Sequence, residues 1–233
     1  MGETPRVPKT DPRWVAELTG APVREVAEAL TEATKERALE EHVQREHRAA
    51  GREFYAEIQA PLELYALARI LKPRHIVEVV VSSGVSSAYF LKALQRNGQG
   101  TLHSIDFPTP QKTTRFSEGD DSPVALPPGR SSGWAVPSTL RQGWDLRIGR
   151  SEELLPPLVE GLDRVEIFLH DDLHTFEHAT WEFQTVDPKV PSGGVVLADN
   201  TNWLDGALDR WASRWGSVPV RRTGTWLCGF RKP

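Results

Sequence analysis

Residues 75–106 read HIVEVVVSSGVSSAYFLKALQRNGQGTLHSID. The β-branched run at 75–81 is closed by Ser82-Ser83-Gly84, which predicts a short buried strand. Helical spacing takes over at 85–97 and stops at Asn97-Gly98. Residues 101–106 (TLHSID) then predict a second strand. Strand, helix and strand in about 30 residues form the unit from which parallel sheets are built.

Downstream the alternation continues. Strands are predicted at 144–148 (WDLRI), 165–171 (VEIFLHD) and 194–199 (GVVLAD), with helices at 151–160, 174–186 and 204–215. Two last strands are expected near 218–222 and 225–231. This order predicts an α/β, Rossmann-like doubly wound, mostly parallel sheet with helices on both faces. Upstream, Pro22 suits a first helical position, and Val23, Val26, Ala27 and Leu30 recur at helical spacing. Residues 31–52 are rich in Glu, Arg and Ala and read as a solvated helical face, with Gly51 as a break. Phe54, Ile58, Leu62, Tyr65 and 67–71 predict another helix, stopped by Lys72-Pro73. The first twenty residues, with Pro5, Pro8, Pro12 and Gly20, are expected to be a mobile or wrapping arm. The chain therefore divides into an N-terminal arm and helical cap, 1–53, and an α/β domain, 54–233. Residues 107–137 are long and proline-rich, the signature of a lid or a disordered loop.

Composition narrows the function classes. The chain has 233 residues, a net charge of −4 and one cysteine, Cys228, so no internal disulfide is available. No apolar run approaches the ~20 residues that span a bilayer, and the N-terminal sequence has no signal-peptide apolar stretch. Near-balanced charge gives no pull towards nucleic acid or an anionic membrane. A cytoplasmic protein with neither partner is expected.

In an open doubly wound sheet, ligands bind beyond the carboxyl ends of the strands. The first strand ends in small residues, Ser82, Ser83 and Gly84, which let a ligand approach the backbone. Neither G-x-G-x-x-G nor G-x-x-x-x-G-K is present, which argues against NAD and against nucleotide hydrolysis. Asp106 ends the second strand about 20 residues after the turn, where a carboxylate can accept ribose hydroxyls. A helix cap or loop carboxylate is the other reading of Asp106. His170, Asp171, Asp172, His174 and His178 follow the fourth strand, and Asp199, Asn200 and Trp203 the fifth. His174 and His178 sit one helical turn apart, yet no third zinc ligand follows and the order is not H-E-x-x-H. An imidazole there can serve as a general base, with His174 the candidate; a loop-orienting His174 and a surface His178 are the bland alternative. Ser86 and Ser87 lack a nucleophile elbow. Trp134 and Trp203 are candidates to wall an acceptor, whereas Trp144, Trp181, Trp211, Trp215 and Trp226 are expected in the core or beneath helices.

Three passages, EVVVSSGVSSAYFLKAL with SIDFP, GWAVPSTL…WDLRIGRSEELLP, and IFLHDDLHTFEH…PSGGVVLADNTNW, match one family in order and spacing. From about residue 54 to 232 the chain resembles a class I S-adenosylmethionine (SAM)-dependent methyltransferase. It is similar to the small-molecule O-methyltransferases with an HD-x-LHT-[FY]-E sequence. The resemblance implies seven strands ending in an antiparallel hairpin, with SAM held by Glu78, Val80, Ser82, Ser83, Gly84, Asp106, Ser151 and His170. It also implies a small hydroxylated acceptor handled by His174 and Asp171, and an Mg²⁺ ion on Asp171, Asp199 and Asn200. The N-terminal helices are candidates for a homodimer contact.

Two positions depart from the family. Val80 stands where glycine is usual, and a β-branched residue does not readily take positive φ. Arg150 stands where an Asp usually accepts from adenine, which Arg cannot do; Ser151 beside it is read as a helix N-cap. A methyltransferase-like protein that has lost catalysis and serves as a binding or assembly module is therefore the alternative.

Overall fold

A computed structural model describes residues 10–51, 60–108 and 126–233. Strands β1 (His75–Val79), β2 (Thr101–Asp106), β3 (Trp144–Ile148), β4 (Ile167–His170), β5 (Val195–Ala198), β6 (Val220–Arg221) and β7 (Cys228–Arg231) make one sheet in the order β3-β2-β1-β4-β5-β7-β6. The first five are parallel, and β7 pairs antiparallel with both β5 and β6. Strand order reverses between β1 and β4, which is where such sheets carry their ligand crevice. The doubly wound architecture is the one expected from the sequence.

Alternation along each strand sorts the core into two layers. Ile76, Leu102, Ile167, Leu169, Val195 and Leu197 face α4 (Pro61–Leu71) and α5 (Val85–Asn97). Val77, Val79, Ile105, Phe168, Val196 and Ala198 face α6 (Ser151–Gly161), α7 (Phe176–Val186) and α8 (Ala207–Ser213). The N-terminal helices α1 (Pro12–Thr19), α2 (Val23–Ala33) and α3 (Arg37–Ala49) add Trp14, Val15, Leu18, Val26, Leu30, Leu39 and Val43 to the first layer.

Helix α1 corrects the expected arm over residues 12–19. Asp11 caps it by accepting from the Trp14 N–H, Pro12 takes the first helical position, and Trp14, Val15 and Leu18 are buried. Trp14 Nε1 donates to the Val220 carbonyl 2.9 Å away, tying the helix to β6. The expected break at Gly51 has φ 63°. Several elements are shorter than anticipated, above all β6, α8 and the start of α7. The expected helical stretch at 54–59, the 53/54 boundary and residues 109–125 of the long loop lie outside the described residues. Trp215 and Trp226 are exposed rather than core, lying under Lys232 and Arg221 respectively. Among the described residues no helix is long and apolar enough to cross a membrane.

One buried ion pair locks the hairpin to the helical layer. Arg222 donates through Nε (2.9 Å) and Nη2 (2.6 Å) to Glu63 Oε1 on α4, and both side chains are almost fully buried. The Asp11 N–H donates to the same oxygen. Removing one partner strands a buried charge, so Glu63→Ala is expected to destabilise the fold by about 3–5 kcal/mol, read as a lower urea midpoint. A change within 1 kcal/mol would show that water replaces the pair without cost.

Candidate active site at the strand carboxyl ends

Glu78 is fully buried in β1, facing α5. Its carboxylate accepts from Ser86, from Ser87 Oγ at 2.6 Å and from Ser104 Oγ at 2.8 Å. Ser104 in turn accepts from Trp144 Nε1 at 2.9 Å. Burial pushes the Glu78 pKa up, the three hydroxyls oppose that, and Asp106 adds to the rise. The carboxylate thus faces the protein and organises the turn that follows it.

That turn is left-handed at three residues, Val80 (φ 71°), Ser82 (φ 50°) and Gly84 (φ 90°). Val80 takes the positive φ that its side chain disfavours, contrary to the sequence expectation. Neighbouring bonds hold it there: Val80 N–H donates to Ile105 O (2.8 Å), Val81 N–H to Asp106 Oδ1 (3.1 Å) and Gly84 N–H to Val81 O (2.8 Å). At Gly84 a Cβ would lie 2.6 Å from Val136 Cγ2 and 2.9 Å from Gly133 Cα, so glycine is needed for space as well as for φ.

The contact at Gly84 comes from a strap, residues 130–136, laid over the turn. Gly133 N–H donates to Ser82 O and Ala135 N–H to Ser83 O. Helix α3 anchors the strap: Arg130 pairs with Glu46 at 3.1 Å, and His47 packs on Trp134 with ring centroids 4.7 Å apart. Trp134, expected to wall an acceptor, is engaged by α3. Beneath the strap, Asp106 is only 4 % exposed. Its Oδ2 is buried and makes no hydrogen bond of standard geometry, with the Ser132 hydroxyl as polar neighbour. Burial pushes the Asp106 pKa up, opposed by Ser132 and by the backbone N–H groups of Val81 and Ser82.

At the β3 end, Arg150 turns its guanidinium onto Phe107, 5.0 Å from the ring centre. Arg150 itself occupies the N-cap position of α6, so Ser151 is the first helical residue and not the cap. Ser151 Oγ donates instead to Asp172 Oδ2 at 2.6 Å. His170 is fully buried, and its Nδ1 meets Glu182 Oε2 at 2.6 Å.

Register pairs His170 with Ala198, so Asp171 and Asp199 leave adjacent parallel strands side by side. The Asp199 N–H donates to the His170 carbonyl, and Asn200 turns the chain at φ 49°. Asp171 Oδ1 lies 3.5 Å from His174 Nε2. The His174 ring meets His170 and the half-exposed Trp203 edge-on, each at 5.7 Å. His178 is no surface residue: its Nε2 lies 3.0 Å from Asp172 Oδ2 and 3.3 Å from Glu182 Oε1. Burial pulls the His178 pKa down, but Asp172 and Glu182 outweigh it and hold the group up at about 10. Burial and the neighbouring His178 charge bring His174 down to about 4.

Two groups emerge. Glu78, Val80, Ser82, Ser83, Gly84 and Asp106 gather around the β1 and β2 ends, and Asp171, His174, Asp199 and Asn200 around the β4 and β5 ends. His170 and Ser151 join a third, ionic group built on Asp172, His178 and Glu182. Sequence reasoning missed Glu182, although its spacing from His178 (i, i+4) on one helical face was the available signal.

Residues 77–201 match a family model described as a methyltransferase domain. No curated protein matches the chain. Among solved structures, it is similar to the O-methyltransferase TomG of Streptomyces achromogenes, involved in tomaymycin synthesis and bound to SAM (17 % identity, 100 % of each chain, TM-score 0.53). An O-methyltransferase of Bacillus cereus bound to SAH is 12 % identical over 84 % of this chain and 91 % of that one, TM-score 0.55. A calicheamicin methyltransferase is 15 % identical over 82 % and 91 %, TM-score 0.56.

Val80→Gly removes left-handed strain of about 1–2 kcal/mol and adds about 0.5–1 kcal/mol of unfolded-chain entropy. A small net gain in urea stability is expected, and a clear loss would show that Val80 packing outweighs the strain.

The two histidines predict a stability maximum. His174 stabilises the fold while neutral, and this is lost as pH falls from its ordinary 6.5 towards about 4. His178 stabilises the fold while protonated, and this is lost as pH rises from 6.5 towards about 10. Unfolding free energy measured with a chelator present should peak near neutrality; His178→Gln should flatten the alkaline side and, by removing the charge that lowers His174, also soften the acid side. An unchanged alkaline side in that variant would remove His178 as the cause.

Proposed function

Because the chain belongs to the methyltransferase-domain family, we propose that it transfers a methyl group from SAM to a hydroxyl of a small acceptor. The observation that carries this reading is Asp106, a buried carboxylate at the β2 end with one oxygen lacking a standard hydrogen bond, beside a left-handed turn of small residues. An orphaned acceptor there fits the ribose hydroxyls of SAM. Similarity to an O-methyltransferase involved in tomaymycin synthesis and to a calicheamicin methyltransferase supports the acceptor class.

When bound, SAM supplies an electrophilic methyl group, and the remaining work is alignment and proton removal. Ser82, Ser83 and Gly84 would hold the methionine portion through their backbone, and Glu78 fixes the shape of that turn. Ser151 and His170 serve this site indirectly, through Asp172 and Glu182. At the acceptor end His174, neutral at physiological pH, accepts the hydroxyl proton, and Asp171 orients its ring. Trp203 offers a half-exposed flat face next to it. Asp171, Asp199 and Asn200 form a hard-oxygen set that fits Mg²⁺, which would lower the pKa of the acceptor hydroxyl.

Isothermal titration with SAM or its demethylated product tests the reading. Saturable heat is expected from the wild type, weakened at least tenfold in Asp106→Asn. His174→Ala should lower kcat while leaving SAM affinity unchanged. No heat from the wild type would overturn the proposal. Heat from Val80→Gly alone would favour a protein that has lost catalysis.

A further inference from the structure

Beside the cofactor cleft, three elements converge on a point that neither group of the transfer site uses. Asp172 leaves the end of β4, His178 and Glu182 lie one turn apart on α7, and Ser151 opens α6. One ligand atom from each of Asp172, His178 and Glu182 lies within 4.8 Å of the other two. His178 Nε2 is 3.0 Å from Asp172 Oδ2, 3.3 Å from Glu182 Oε1 and 3.3 Å from Ser151 Oγ. One imidazole nitrogen carries at most one proton, and it faces three oxygens. Glu182 Oε1 is the telling atom: its residue is fully buried, and this oxygen points at the cluster with no hydrogen bond of standard geometry, only the 3.3 Å ion-pair contact to His178 Nε2.

We propose that Asp172, His178 and Glu182 form a binding site for a divalent transition-metal ion, zinc or its borderline relatives, separate from the Mg²⁺ position on Asp171, Asp199 and Asn200. A metal bonded at roughly 2.0–2.2 Å holds neighbouring ligands about 3–3.5 Å apart, which is the spacing around His178 Nε2. One imidazole and two carboxylates suit zinc, manganese or cobalt better than magnesium, which prefers oxygen alone. Supporting contacts are in place around the three ligands. Glu182 Oε2 is held by His170 Nδ1 at 2.6 Å, Ser151 Oγ donates to Asp172, and Glu152 Oε1 lies 3.9 Å from His178 Nδ1. Asp172 is partly exposed, which leaves an entry path. The ion would clamp the start of α6 and helix α7 to the end of β4.

The test loads metal-stripped full-length protein with Zn²⁺, Mn²⁺ or Mg²⁺, removes free ion by gel filtration and measures retained metal. One equivalent of Zn²⁺ is expected, with a higher Tm, and at least tenfold weaker binding in Asp172→Asn and in His178→Gln. Asp199→Asn should keep the Zn²⁺ equivalent, which separates this site from the Mg²⁺ position and from the methyl-transfer reading. Circular dichroism confirms that each variant is folded; Asp172→Asn is isosteric and lies at a partly exposed position, so it carries the test if His178→Gln unfolds. No retained Zn²⁺ in the wild type, or unchanged retention in a folded Asp172→Asn, would overturn the proposal.

Discussion

The carboxylate of Glu78 is the interaction on which the rest depends. A buried carboxylate without donors costs several kcal/mol, so its environment must supply them. Here they come from two residues of α5 and one of β2, and the β2 hydroxyl is itself engaged by Trp144 of β3. A single side chain therefore fixes the start of α5 against β1, and β1 against its two outer neighbours. Everything between Glu78 and Ser86 has to fit a gap of defined length. The left-handed turn at 80–84 is the solution, and it sets how closely anything can approach the backbone there.

That constraint explains why the valine at position 80 does not reshape the turn. Its strain of about 1–2 kcal/mol is small beside the cost of breaking the bonds of Glu78 or those of Val80, Val81 and Gly84 to their neighbours. A sequence rule about β-branched residues at positive φ describes an isolated residue. In the folded chain both flanks of Val80 are fixed, and the rule is overridden.

Most of the fold was legible because hydrophobic period changes are a local signal. The βαβ unit from 75 to 106, strand 144–148 and helix 151–160 each announce themselves within a dozen or so residues. Helix α1 did not, since its eight residues are stabilised by distant partners, Trp14 reaching β6 across more than two hundred positions. Asp11-Pro12 was a readable start signal, masked by the prolines around it. The exposed Trp215 and Trp226 illustrate the converse: hydrophobicity alone does not say which aromatic rings a short edge strand can cover.

The site divides in the same way. Carboxylates at strand ends could be placed from topology, because parallel neighbours bring their carboxyl ends together. What topology could not supply was the allocation of partners. His170 shows why: its carbonyl accepts from the Asp199 N–H at the end of β5, while its ring binds Glu182 on α7. Backbone and side chain of one residue thus serve two neighbouring groups. Asp172 does likewise, paired with His178 and Ser151 on one side while its charge acts on Asp106 on the other. Substituting either residue therefore perturbs two groups at once, and deletion of one side chain cannot assign a loss of binding to one of them. Only variants that change charge while keeping shape, compared in pairs across the two groups, separate the contributions.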